Sequence, residues 1–230
     1  PHSEQKLLGT IACFRSPVEL KTLEAIFENV REKHTLPLQD NLHDLIDRGL
    51  LHFDAKNKKF DIHPIVRRYT YERLTAPDRT AAHTRLRDYF TVVDTPARLL
   101  ALGDLAPVIE LYHHTIRIGE LDAAYELFYN RINKPTYYQF NAYELRTELL
   151  SALLPNEGDN PPDFKRSGTG AQAWVLNVLA NAYSTSGQPQ RALRLYKIAI
   201  EIFRKAGDRK SQYICLGNLA QLAQLPTGNI

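Results

Sequence analysis

Small and large apolar residues alternate at helical spacing between Ala171 and Lys205. Leu176, Leu179, Ala180 and Tyr183 share one face of a first predicted helix, Gly187 marks a turn, and Ala192, Tyr196 and Ala199 line the facing seam of a second. Alanine at each point of close approach, with a leucine or aromatic ring beside it, lets two antiparallel helices interdigitate. The segment LNVLANAY at Leu176 returns as LGNLAQLA at Leu216, 40 residues later. A weaker copy, LYHHTIRIGELDAAYELFYNRI, puts Gly119 in the place of Gly187, Ala124 in that of Ala192 and Phe128 in that of Tyr196, but has Arg131 where Ala199 would stand.

The first seventy-five residues carry a different rhythm. LLGTIACF, SPVELKTLEAIFENV and LQDNLHDLIDRGLL predict three helices in succession. Ser16 before Pro17, with Glu19, has the form of an N-cap and capping box opening the second. Gln39 or Asp40 opens the third, whose Leu42, Leu45 and Ile46 share a face and which Gly49 ends. LLHFDAKNKKFDIH reads as a β-hairpin with a polar tip, and a fourth helix, IVRRYTYERL, follows Pro64. The expected fold class is therefore mainly α. A winged-helix domain is expected over 1–76, a bridging helix and divergent repeat-like helices over 77–156, a linker over 157–170, and an α-solenoid of helical hairpins over 171–230, the last one incomplete.

Composition narrows the function. The net charge of +3 is evenly spread, with 12 Lys plus Arg against 11 Asp plus Glu up to residue 75, so neither nucleic acid nor an anionic membrane is an expected partner. The third helix would present Asp40, Asp44 and Asp47 against Arg48 alone, a poor match to phosphates. No apolar run reaches the roughly 20 residues of a membrane span. Cys13 and Cys215 both lie in apolar helical patterns, which favours core packing and a reducing, cytoplasmic setting. The chain opens at Pro1 without methionine and stops just after Leu225-Pro226, so it reads as a fragment whose open end invites self-association.

Catalytic signatures are missing. No GxxxxGK[ST] segment and no Gly-Lys pair occur, so no enzyme activity is expected of this chain alone. Gly168-Thr169-Gly170-Ala171-Gln172-Ala173 fits a dinucleotide fingerprint by letters, but a polar, proline-rich stretch precedes it where a buried strand is required. The eight histidines are not spaced for a helical metal site. His113 and His114, neighbours on one helix, point about 100° apart, so no metal is expected.

The 40-residue unit resembles the tetratricopeptide repeat (TPR), although it is longer than the roughly 34 residues of the plain repeat. The run LLHFDAKNKKFDIHPIVRRYTYERL, with His63-Pro64-Ile65-Val66-Arg67, is similar to the end of the winged helix of STAND ATPases, the signalling NTPases that include the NB-ARC or AP-ATPase group. The similarity extends through the repeats over nearly the whole chain. It implies a sensor region of a bacterial signalling or defence ATPase, with ADP or ATP and Mg bound in the parent chain and no cofactor in this fragment. It places the contact to the ADP β-phosphate on His63, with Arg67 beside it, although His63 also suits a plain helix cap. In such repeats the first helices build the concave face, where Trp174, Asn177, Asn181 and Ser184, with Gly217 and Gln221 one period later, are the candidate contacts to a protein or peptide. The row Arg191, Arg194 and Lys197 falls on the opposite, solvated side. The alternatives are a winged-helix transcription regulator whose repeats bind an inducer, and a TPR scaffold.

Overall fold

The computed structural model describes residues 2–28, 38–154, 161–162 and 164–224. The end of the second predicted helix, much of the expected linker and the chain's last residues lie outside them. The described residues fall into two compact units, one made of residues 1–95 with 107–118, the other of 96–106 with 119–230.

In the first unit α1 (His2–Ala12) packs on α3 (Leu38–Asp47) and α4 (Pro64–Arg73), while α2 (Leu20–Glu28) packs on α5 (Ala76–Val92). Leu7, Ile11, Leu23, Ile26, Leu42, Leu45 and Leu86 are buried, as the apolar periodicity requires. At the end of α3, Gly49 takes φ +69°, a left-handed conformation that a side chain resists. The amides of Gly49 and Leu50 then return to the carbonyls of Ile46 and Leu45. The hairpin forms from β2 (His52–Asp54) and β3 (Lys59–Asp61), and the Asp54 carboxylate ties its tip by accepting from the amides of Lys56 and Asn57.

The expected capping box at Ser16 does not exist. Val18–Glu19 form a short strand, β1, that pairs antiparallel with β3, Val18 opposite Phe60 and Glu19 opposite Lys59, giving the sheet order β1-β3-β2. The Ser16 amide and hydroxyl, together with the Arg15 amide, bond instead to the Glu110 carboxylate of α6 (Ala106–Arg117). Helix α2 therefore begins at Leu20. α5 and α6 both contribute to this unit, beyond the boundary expected at residue 76: Phe90 stacks on His114, and Phe14 meets both rings edge-on.

The regular structure of the second unit is all helical among its described residues. α7 (Leu121–Leu127) continues into two wider π-helical stretches, Phe128–Ile132 and Pro135–Gln139, before α8 (Tyr143–Ser151). Pro135 has no amide to donate, and the wider coil adjusts the bonding around it, Phe140 reaching back to the Pro135 carbonyl. The broadened turn also settles the misfit at Arg131. Arg131 stays exposed while Ile132 takes the buried place, fully inaccessible beside Phe128 and Ala124. Arg146 of α8 is buried against this stretch, donating to the Asn133 carbonyl at 2.7 Å and to the Thr136 hydroxyl at 3.0 Å.

α9 (Gly168–Thr185) and α10 (Pro189–Lys205) then form the hairpin read from the sequence. Leu176, Leu179, Ala180, Tyr183, Ala192, Tyr196 and Ala199 are all buried in it. Gly187 turns the chain with φ +73°. α11 (Arg209–Gln224) packs on α10 as the start of the next repeat, with Cys215 in the seam.

Candidate functional site

His63 stands at the N-terminus of α4. Proline follows it, as the first-turn preference predicts, and its Nδ1 accepts from the Ile65 amide at 3.3 Å. The side chain is exposed at the edge of a groove of about 1180 Å³ between α3 and the hairpin, whose walls include Leu42, Ile46, Phe53 and Phe60. Because Nδ1 is an acceptor here, the neutral ring carries its proton on Nε2. Capping the helix and offering an N–H outward are thus compatible roles.

Arg67 lies one turn further along α4 and is already engaged. Its guanidinium donates to the Phe14 carbonyl and to Asp61 Oδ1, the latter at 2.8 Å, so it joins α4 to the hairpin and to the end of α1. Just past the end of α3, Arg48 is held by Glu4 at 2.7 Å and by Asp44 at 3.0 Å.

In the second unit the spacing placed the candidate strip on one helix face, but much of it is spent internally. Trp174 packs edge-on against Tyr125, Phe128 and Tyr129. Asn177 is buried and its Oδ1 accepts from Asn218 Nδ2 at 3.1 Å, and Asn181 Oδ1 accepts from the Tyr196 hydroxyl at 2.6 Å. Ser184 is half-buried, while Gly217 and Gln221 are exposed. On the facing helix Arg191 lies over the Tyr183 ring, and Arg194 and Lys197 are exposed.

The stretch matching the dinucleotide fingerprint opens α9, and the described residues before it form no strand. The Asp122 carboxylate, at the start of α7, accepts from the amides of Lys165, Arg166 and Ser167 and from the Ser167 hydroxyl. Although desolvation works to raise its pKa, these bonds win and hold the carboxyl at about 2. Cys13 and Cys215 are buried free thiols, each pushed up to about 12 by burial, as befits core packing.

One constellation escaped the sequence. His113 and His114 do diverge on α6, but His83 of α5 stands against both, and nitrogens of the three rings lie within 4.8 Å of one another. Adjacency on a helix decided nothing, because the third ring arrives from another helix. Burial holds His83 and His113 at about 3, both therefore neutral imidazoles near pH 7, with the neighbouring histidines and Arg117 adding to the effect. Glu110 stays ionised: its burial is outweighed by the His114 ring 3.4 Å away and by bonds from Ser16 and Arg15.

No family model and no curated protein matches this chain. Among solved structures it is similar to a Signal Transduction ATPase with Numerous Domains (STAND) protein with a tetratricopeptide repeat sensor from Pyrococcus horikoshii, at 16% identity and a TM-score of 0.48. The similarity covers 95% of this chain and 34% of that one, so this chain spans about a third of that protein's length. No described helix is long and apolar enough to cross a membrane.

Proposed function

We propose that this chain is the regulatory region of a STAND signalling ATPase. Its repeats receive a protein or peptide, and its amino-terminal unit, read as a winged helix, relays that event to a nucleotide-binding module of the same parent chain. The observation that supports this reading is His63. With Nδ1 bound to the Ile65 amide, Nε2–H points away from the cap as a donor of the kind a phosphate oxygen accepts. The dipole of α4 favours an anion at the same place. In this reading His63 holds the β-phosphate of ADP bound, with Mg, in the parent's nucleotide module; Arg67 is the strut that keeps α4 in position. Ligand binding on the repeats, through the accessible Ser184 and Gln221, would break that contact and permit exchange. The chain by itself performs no catalysis.

The test is His63→Ser in the full parent chain, since serine still caps the helix but removes the imidazole donor. Faster loss of bound ADP and ligand-independent activation are expected. ADP retention equal to the wild type, with activation still dependent on the ligand, would refute the switch.

A further inference from the structure

We propose that His83, His113 and His114 bind one divalent transition-metal ion of the zinc type, clamping α5 to α6. Each imidazole offers one nitrogen, and these lie within 4.8 Å of one another. Ligands 2.0–2.1 Å from a tetrahedral zinc are spaced roughly 3.3 Å apart, so small side-chain rotations close the set. The two most buried members already turn the same atom inward, His83 Nδ1 lying 2.9 Å from His114 Nδ1.

The outer nitrogens face the groups that orient metal-bound histidines. His83 Nε2 is 3.0 Å from the Tyr71 hydroxyl. His114 Nε2 is fully buried without a well-formed hydrogen bond, and Glu110 Oε2 lies 3.4 Å from it. Glu110 in turn is fixed by the Arg15 and Ser16 amides and the Ser16 hydroxyl. In the tautomer that puts a proton on each Nε2, towards hydroxyl and carboxylate, both Nδ1 lone pairs face the space between the rings and are available to one cation. With metal on Nδ1, the His114 Nε2 faces Glu110 Oε2 at 3.4 Å, the layout of a carboxylate–histidine–metal arrangement.

An all-imidazole set suits zinc or copper and disfavours magnesium or calcium. Half-buried His113 leaves one side of the site for water as a fourth ligand. Arg117, over the Tyr71 ring at 6.0 Å, opposes the added charge, whereas Glu110 offsets it. The metal-free alternative is a chain of hydrogen bonds from Tyr71 through His83 and His114 to Glu110, which needs no His113.

That difference sets the experiment. The full chain, without a tag and stripped by chelator, is titrated with ZnCl2 by calorimetry and with CoCl2 by visible absorption. One equivalent of zinc, a raised Tm and d–d bands of nitrogen-bound Co²⁺ are expected. H113Q should abolish the bands and weaken zinc by more than about 100-fold, and Y71F, which removes only an orienting hydroxyl, by about 10–100-fold. Absence of stoichiometric zinc binding overturns the proposal, as does an H113Q protein that binds like the wild type. H113Q decides even where His83→Gln fails to fold.

Discussion

Removing the Arg67 guanidinium tests whether this residue is a strut of the fold. Arg67→Met keeps the aliphatic stem and deletes two interactions. The ion pair with Asp61 is partly exposed, the side chains being 24% and 45% accessible, so it is worth at most about 1 kcal/mol. The bond to the Phe14 carbonyl carries more. Its donor is charged and Phe14 is buried, so about 1.5–3 kcal/mol is at stake, with the carbonyl left unpaired in the variant. A local loss of about 2–3 kcal/mol follows, which is roughly a 30- to 150-fold fall in protection. Native-state hydrogen exchange read by mass spectrometry should show it in peptides covering 14–19 and 59–67. Most of the effect should survive high salt, because only the Asp61 pair is screened. Arg67→Lys keeps charge without the planar fork and should fall between. Protection within about threefold of wild type in R67M, less than 1 kcal/mol, would refute the reasoning and free Arg67 for a ligand.

Trp174→Ala should cost the second unit about 2–3 kcal/mol by circular dichroism, less than a fully buried tryptophan would, while Trp174→Phe retains most of the stability; a neutral W174A would return the ring to the candidate contacts. Because the pKa of Asp122 is depressed to about 2, its anchoring of 165–167 is fully present above the ordinary carboxylate value near 4 and is lost as pH falls toward 2. Amide protection at Lys165–Ser167 followed by NMR should show that window, and D122N should abolish it. With Arg48 already held by Glu4 and Asp44, duplex DNA should give no gel shift even at low salt, and a shift with a steep salt slope would revive the transcription-regulator alternative.

The α9–α10 hairpin was legible because its information is local: each alanine that permits close approach and each ring beside it lies within one helical turn of the next. β1 and the true start of α2 were not legible. Ser16 has the right neighbours for a cap, but a carboxylate 94 residues away takes its amide and hydroxyl, and Phe60 and Lys59 take Val18 and Glu19 as strand partners. The candidate strip was found as a face, whereas the partners its side chains meet within the fold were not. Tyr196 and Asn218 consume the asparagine oxygens, and three aromatic rings gather around Trp174, contacts invisible to a period count. His83 had no marker at all, since nothing local says which helix it will meet.

The amino-terminal unit is stitched from two stretches, 1–95 and 107–118, with 96–106 belonging to its neighbour. Neither unit can then be excised as one uninterrupted segment. A truncation at residue 76 or 95 discards Glu110, the acceptor for Arg15 and Ser16, and His114, on which Phe90 stacks. A graft of new repeats must leave the chain intact through Arg117, and a join beyond it separates 96–106 from the rest of the second unit, so replacement repeats must accept that stretch as their own packing partner.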